Sequence, residues 1–427
     1  MLSVRESGSK RGAGVPEDQR PPQHRAPLWL LGALVMSVAA WFVFMRTVTP
    51  LDLDVFLSGG RAVAHGRNPY PALGSPQVWS GSAYVYPWIT AWLFAPAAAI
   101  SRHAATLAMA ATSIGCVIGG VWSLAGRRLG PLSWVLLASP TIVGLQMGTL
   151  NAALFLGACL AWRWRDRPAR VGVVIGVLVT LKVLCWPLVL WLLLTRRWRA
   201  SAWAVGAGAL LLGIGWVAGP FGPVSYARLL GELAQHEVIR SSGLQGLLVL
   251  WWMPVFAAQL VGLLAVAGVV AVVARRSDLT IYTGMIAAAL LASPVVWHHY
   301  YLLAAAPLLL FRGGPRAYFL VGWAAVAPHP SYGLSWLPLT IVADVALGVV
   351  VVGLVWRHRA ALSARRRRVP RAAWLAYSAA SICLATALVF VGHVDRLVQG
   401  ISQAVLPIWA TLALIVAASV QRAHRDA

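Results

Sequence analysis

The sequence predicts an all-α, polytopic membrane protein, and three observations carry that expectation. Hydrophobic residues make up 59% of the chain and charged residues only 11%, where a soluble domain carries roughly 25% charged residues. Apolar runs recur along the whole 427-residue length, so the chain is not a soluble body on a single anchor. The arginines behind the net charge of +23 lie between those runs and line no single basic domain. That pattern excludes a nucleic-acid partner and points to membrane lipids. Cys116, Cys159, Cys185 and Cys383 fall within apolar runs with no short spacing, which implies small buried hydrophobes, not a disulfide or a metal site.

Residues 1–27 are polar and rich in Arg, Pro and Gly, which predicts a disordered basic cytoplasmic tail. The run 28–46 is too long for a signal-peptide core and no small-residue cleavage site follows it, so it reads as a retained first span. A long outer loop follows over 47–103. Further crossings fall near 104–125, 131–145, 150–162, 171–184, 186–195, 201–219, 253–274, 279–294, 300–311, 317–327 and 337–356. A basic cytoplasmic loop over 357–372 then leads into two additional spans near 373–392 and 401–420, with a short tail to 427. Several of these runs are shorter than the ~20 residues of a straight crossing, which sets the number of transmembrane helices at about 12–14.

With the N-terminus inside, twenty-seven of the 35 Lys and Arg residues fall in inner loops, seven in outer loops, and Lys182 alone in a span. This is the asymmetry of the positive-inside rule. Counting the run Tyr84–Ile100 as a crossing would place the arginines of 163–170 and 196–199 outside. It is therefore read as an interfacial or re-entrant segment, a setting that must be covered by protein or line a water-filled cavity. The runs 171–184 and 186–195 are flanked by arginine clusters at both ends, so they read as two half-length helices meeting at Lys182–Pro187 with their tip toward the outer side. A snorkelling lysine is the bland reading of Lys182. An anion ligand facing a cavity is the functional one, favoured because intramembrane charge is costly.

Other polar groups gather on the same side. Asp52 and Asp54 follow Thr49-Pro50, a helix start. Helix capping explains one aspartate with no further role. Two positions apart, they do not share a helical face, which favours one working carboxylate over a dyad. Gln146 to Asn151 is a polar break between two short runs. Ser293 to Tyr301 carries adjacent histidines, His298 and His299. Metal pairs on a helix are spaced three or four apart with carboxylate or thiolate help, so these histidines suit hydrogen bonding to a phosphate or sugar. Trp297, Tyr300 and Tyr301 carry an aromatic-belt reading. The loop 220–245, with Glu232, His236, Glu237 and Arg240, reads as a solvated amphipathic helix. Asp344 sits inside a late span and Asp395 in the last outer loop, each with a structural reading beside a functional one.

Taken in order, these patches resemble glycosyltransferase family 87. Leu51-Asp52-Leu53-Asp54-Val55-Phe56 with Gly59-Gly60 is similar to its D-L-x-V-Y-x-x-G/A-A/G opening. Asn68-Pro69-Tyr70 and Tyr84-Val85-Tyr86-Pro87 are similar to its PY and F-x-Y-P-P elements. Gly148-Thr149-Leu150-Asn151 resembles G-Q-x-N, Lys182 the lysine of V-K-x-x-P, and Ser293 to His299 the S-P-x-S-W-x-H element. The likeness extends over about residues 28–356. Trp88, Thr149 and Val296 depart from the pattern, the gap from Lys182 to Pro187 is longer, and 241–246 lacks the arginine of N-Q-S-x-R-G.

The resemblance implies a C-superfamily glycosyltransferase fold with interfacial helices on the first outer loop. It also implies transfer of a sugar, mannose first, from a polyprenyl-phosphate donor to a glycolipid or glycan acceptor at the outer face of the plasma membrane. Such a donor carries its own leaving group, so no cofactor is implied. By motif position Asp52 is the general base of an inverting transfer. Lys182 and His299 face the donor phosphate, and His298, Asn151, Asp54 and Tyr86 join the substrate site. An arabinofuranosyl-lipid transferase and a lipid-linked sugar flippase or transporter are the alternatives. Against the transporter class, the break at Lys182–Pro187 has no counterpart in the second half.

Overall fold

The computed structural model describes residues 50–319, apart from 242, 251, 312, 313 and 317. The N-terminal tail, the first span, Asp344, Asp395, the basic loop 357–372 and the crossings expected after residue 319 lie outside the described residues. In order, the helices are α1 (Leu51–Ala64), α2 (Trp88–Ala98), α3 (Arg102–Ala125), α4 (Leu129–Leu136), α5 (Ser139–Met147), α6 (Asn151–Arg163), α7 (Pro168–Leu181) and α8 (Pro187–Leu194). They continue as α9 (Trp198–Ala218), α10 (Pro223–Glu237), α11 (Leu244–Leu250), α12 (Val255–Val273), α13 (Asp278–Ala292) and α14 (Leu302–Leu308). Among the described residues there is no strand.

Among the described residues three helices, α3, α9 and α12, are long and apolar enough to cross a membrane. α12 leaves Phe256, Leu260, Leu263 and Leu264 uncovered, as a helix whose neighbour is lipid does. A shallow groove on α9, lined by Ala209, Leu210, Gly213, Ile214, Val217 and Ala218, is similarly apolar. The run 131–145, expected as one crossing, is divided into two helices, α4 and α5, bent by 61°. The cause is local. Ala138 is extended, Pro140 sits in the first turn of α5 and has no N–H to continue α4, and the Thr141 hydroxyl bonds back to Val135 O at 2.6 Å. The run Tyr84–Ile100 yields only the 11-residue α2, about 16 Å long at 1.5 Å per residue and too short to cross.

The half-helix pair expected around Lys182 is present. α7 stops at Leu181, Lys182 is extended (φ −155°, ψ 112°), a 3-10 turn spans Val183–Cys185, and α8 starts at Pro187. α7 packs closely on α9 because it carries glycines at the contact. A Cβ on Gly176 would lie 2.6 Å from Ala204 O, so only glycine lets the two backbones approach this closely. The ends of the pair return to one ionic cluster. Arg197 grips Asp278 at the start of α13 with two bonds of 2.9 and 2.8 Å. Trp191 Nε1 donates to Asp278 at 2.6 Å, and Arg165 and Asp166 complete the group. Both α7 and α13 therefore start at this cluster. Their other ends lead into Lys182 and into the segment Ser293–Tyr301.

Two apolar clusters form the core. The larger draws on α3, α6, α7, α8, α13 and α14. The smaller joins α1 and α2 to Leu150 and to Tyr226 and Leu229 of α10. Through those contacts α10 is more than a solvated helix: Glu232 accepts from Gly74 N at 2.8 Å, and His236 stacks on Trp79 with ring centroids 3.8 Å apart. The aromatic-belt reading of Tyr300 and Tyr301 is also corrected. Both are buried, at 6% and 2% exposure, because the 3-10 turn His298–Tyr301 tucks them under α14.

Candidate active site

The candidate site lies where the two apolar clusters meet. α1 supplies the first piece. Pro50 fixes its start, Asp54 N–H bonding Pro50 O at 3.0 Å, and Asp52 and Asp54 both fall in the first turn, where the helix N-terminus favours negative charge. Neither side chain caps the helix through a hydrogen bond. Their spacing turns them about 200° apart around the helix axis, and they meet different partners. Asp54 turns to α3, where Arg102 binds both of its oxygens at 2.8 Å. That guanidinium holds the Asp54 carboxyl below its ordinary range. Asp52 turns inward, where burial raises its pKa against the opposing pull of the Lys182 charge and a hydrogen bond with Tyr86.

Tyr86 is held at the close of the outer loop. Tyr70 donates to Tyr86 O at 3.1 Å, Tyr226 to Val85 O at 3.2 Å and Tyr84 to Pro87 O at 2.9 Å. Phe56 of α1 packs against the Tyr86 ring at 4.7 Å. The PY and Y-x-Y-P elements are therefore one tyrosine-laced strap that sets a single phenol against Asp52.

The α5–α6 turn supplies the second wall. Gly148 adopts the left-handed conformation (φ 66°, ψ 46°) that ends α5. Thr149 N–H reaches back to Gly144 O at 3.0 Å, a helix-ending arrangement that favours glycine. A Cβ at Gly148 would also lie 2.7 Å from Leu53 Cβ, so this glycine lets the turn close against the residue next to Asp52. Asn151 is fully buried. Its Nδ2 donates to Thr149 Oγ1 at 3.1 Å, the residue standing where the motif has glutamine. Asn151 Oδ1 and Gln146 Nε2 have no hydrogen-bond partner among the described residues.

Lys182 and the histidine segment complete the arrangement. The Lys182 ammonium does not snorkel to a surface. Its Nζ sits 3.4 Å from the centroid of the Tyr300 ring and 5.8 Å from that of Tyr86. His299 is 3% exposed, lies within electrostatic reach of Lys182, and its Nε2 has no hydrogen-bond partner among the described residues. His298 faces elsewhere, its Nε2 lying 2.7 Å from Ser139 Oγ at the head of α5. Ser241 anchors the segment from outside, its hydroxyl accepting from Val296 N at 2.8 Å and Gly243 N at 3.1 Å.

Of the residues singled out in the sequence, Asp52, Tyr86 and Lys182 thus come together with His299 beside them, while Asn151 lines the adjoining turn. Asp54 and His298 are committed to Arg102 and Ser139. Tyr300 is the group sequence reasoning missed, although it directly follows the motif histidine. Among the described residues no three His, Cys, Asp or Glu side chains converge. What converges is one carboxylate with a cation, a histidine and two phenols, a set suited to moving a proton and receiving an anion.

Comparison with known proteins bears on this arrangement. The model of glycosyltransferase family 87 matches residues 84–297, half of the chain. The polyprenol-phosphate-mannose-dependent alpha-(1-2)-phosphatidylinositol mannoside mannosyltransferase of Mycobacterium tuberculosis (strain ATCC 25618 / H37Rv) is 27% identical over 214 residues, which cover 44% of this chain and 50% of that protein. The chain thus spans about half the length of the curated relative it matches. No solved structure matches it.

Proposed function

This chain belongs to glycosyltransferase family 87, and from that premise we propose that it moves a sugar, mannose, from a polyprenyl-phosphate donor to a glycolipid or glycan acceptor at the outer face of the plasma membrane. The donor class and the sugar follow the similar mycobacterial mannosyltransferase. The outer face follows the distribution of arginines, which puts Lys182 and the Asp52 loop opposite the basic loops.

One observation supports the chemistry most. Asp52 precedes the residues that the family model matches, yet its surroundings come from within them: Tyr86 bonds to it, the Lys182 charge acts on it, and Gly148 packs on its neighbour Leu53. In this reading the acceptor hydroxyl attacks the anomeric carbon while its proton passes to the Asp52 carboxylate. The bond from the anomeric carbon to the phosphate oxygen breaks, and its electron pair leaves with polyprenyl phosphate. A single displacement of this kind inverts the anomeric centre. Base assistance is worth about 10²–10⁴-fold in rate. Lys182 and His299 offset the charge that grows on the departing phosphate. Asp54, already neutralised by Arg102, takes no part.

The test is transfer of label from polyprenyl-phosphate mannose to glycolipid in membranes containing the protein. Transfer should occur with the parent chain, vanish with Asp52→Asn and persist with Asp54→Asn. A dead Asp54→Asn beside an active Asp52→Asn would reverse the assignment. Both variants remaining active would remove the base from the mechanism, and absence of transfer by the parent would sink the donor assignment.

A further inference from the structure

We infer that Tyr300 is a positioning residue that holds the Lys182 ammonium away from the Asp52 carboxylate, so that the base and the anion ligand stay separate. The inference rests on the proposed roles of Asp52 and Lys182 and adds a residue to them.

An ammonium and a carboxylate within electrostatic reach of each other in an apolar surrounding attract strongly, since low dielectric magnifies the Coulomb term. Here the Lys182 charge acts on Asp52, yet among the described residues no ion pair within 4.0 Å joins Lys182 to a carboxylate. The ammonium instead lies over the face of Tyr300 at 3.4 Å from the ring centroid, well inside the ~6 Å reach of a cation–π contact. Both partners are pinned. Lys182 N–H bonds Leu178 O at 2.9 Å and its carbonyl accepts from Cys185 N at 3.0 Å. The Tyr300 ring is buried, and its N–H bonds Trp297 O at 2.9 Å. Tyr86, whose ring is the second near Lys182, also acts on Asp52. Two phenols thus stand among the charges.

The arrangement has a chemical consequence. A carboxylate locked in a direct ion pair is a weaker base, and an ammonium so engaged is a poorer ligand for phosphate. An aromatic face satisfies the cation without supplying a competing anion. It also leaves the ammonium hydrogens that point away from the ring to meet an incoming phosphate. Ordinary core packing of a tyrosine against a lysine stem would require no ring face under the charge and no separation of the two charges.

The test is a double-mutant cycle read by kcat in the transfer assay. Tyr300→Leu should lower kcat about 10- to 30-fold, the size of a desolvated cation–π contact. Tyr300→Phe, which keeps the ring face, should hold kcat within about threefold of the parent, since the quadrupole of the ring is retained. In a Lys182→Met background, with no ammonium to collapse, Tyr300→Leu should cost less than about twofold. Equal losses in both backgrounds would overturn the inference, as would Tyr300→Phe failing as badly as Tyr300→Leu. An active Asp52→Asn would instead strike the proposed function.

Discussion

Replacing Lys182 by methionine tests most directly which substrate the cation serves. The side chain leaves an extended residue between two half-helices, and its stem is about as long as that of methionine, so the gap is filled. Folding loses the cation–π contact with Tyr300, worth about 0.5–2 kcal/mol, but regains the desolvation of a half-buried charge. The net change in stability should therefore be small. Function should change more. A charge-assisted hydrogen bond to phosphate is worth roughly 1.5–3 kcal/mol, and each 1.4 kcal/mol is a factor of ten. Use of the polyprenyl-phosphate donor, measured as kcat/KM with acceptor saturating, should fall about 10- to 150-fold, the factor those energies give. The acceptor KM should move little. Lys182→Arg should recover part of the loss, because it keeps the charge but not the compact ammonium. A variant with normal donor use and a lost acceptor affinity would refute the phosphate assignment.

Three further outcomes follow. Asp278→Asn should lower the melting temperature in detergent without changing kcat per folded molecule, because it weakens the charged grip of Arg197 and the bond to buried Trp191; a kcat loss at unchanged stability would contradict it. The acidic limb of kcat/KM should lie above the ordinary carboxylate range of about 4, because burial raises the Asp52 pKa and only its deprotonated form accepts the proton, so activity disappears as pH falls through that raised value. A limb at or below 4 would contradict the assignment. A cysteine at Ser75 should react with an impermeant reagent on intact cells while one at Ala169, next to the ionic cluster, should not, and the reverse pattern would invert the topology.

Much of the helical framework was legible because a membrane helix declares itself by composition alone. The break at Lys182 was legible for a different reason: arginine clusters on both sides of a short apolar stretch demand that the chain turn back. The bend between α4 and α5 was not legible because the run 131–145 is mostly apolar. Only Pro140 signals the interruption, and a proline is compatible with a kinked span. The motif residues were legible as an ordered set. Their partners were not, because those lie far away in sequence. Asp54 pairs with Arg102, 48 positions on, and His298 with Ser139, 159 positions back. No local pattern encodes either pairing. Tyr300 was misassigned because an aromatic at the expected end of a span reads as belt, and only the 3-10 turn that buries it shows otherwise.

The placement of the ionic cluster explains how such a site tolerates strain-free precision in an apolar body. α7 and α13 have 14 and 15 residues, about 21–23 Å at 1.5 Å per residue, less than the ~30 Å hydrocarbon thickness. Both start at the Asp278 cluster and lead into the site, one to Lys182 and the other to the His299 segment. The relative height of the cation and the histidine is therefore set from the opposite end, by a two-pronged arginine grip on one carboxylate. Bidentate pairs fix geometry as well as contributing energy. The glycine seam that packs α7 on α9 holds the first of these struts laterally. The groups they carry lie among apolar and aromatic neighbours, where each charge acts strongly. In the proposed reaction such a surrounding suits a donor phosphate tethered to a lipid tail. It also makes the separation of Asp52 from Lys182 matter, since a low dielectric strengthens their attraction.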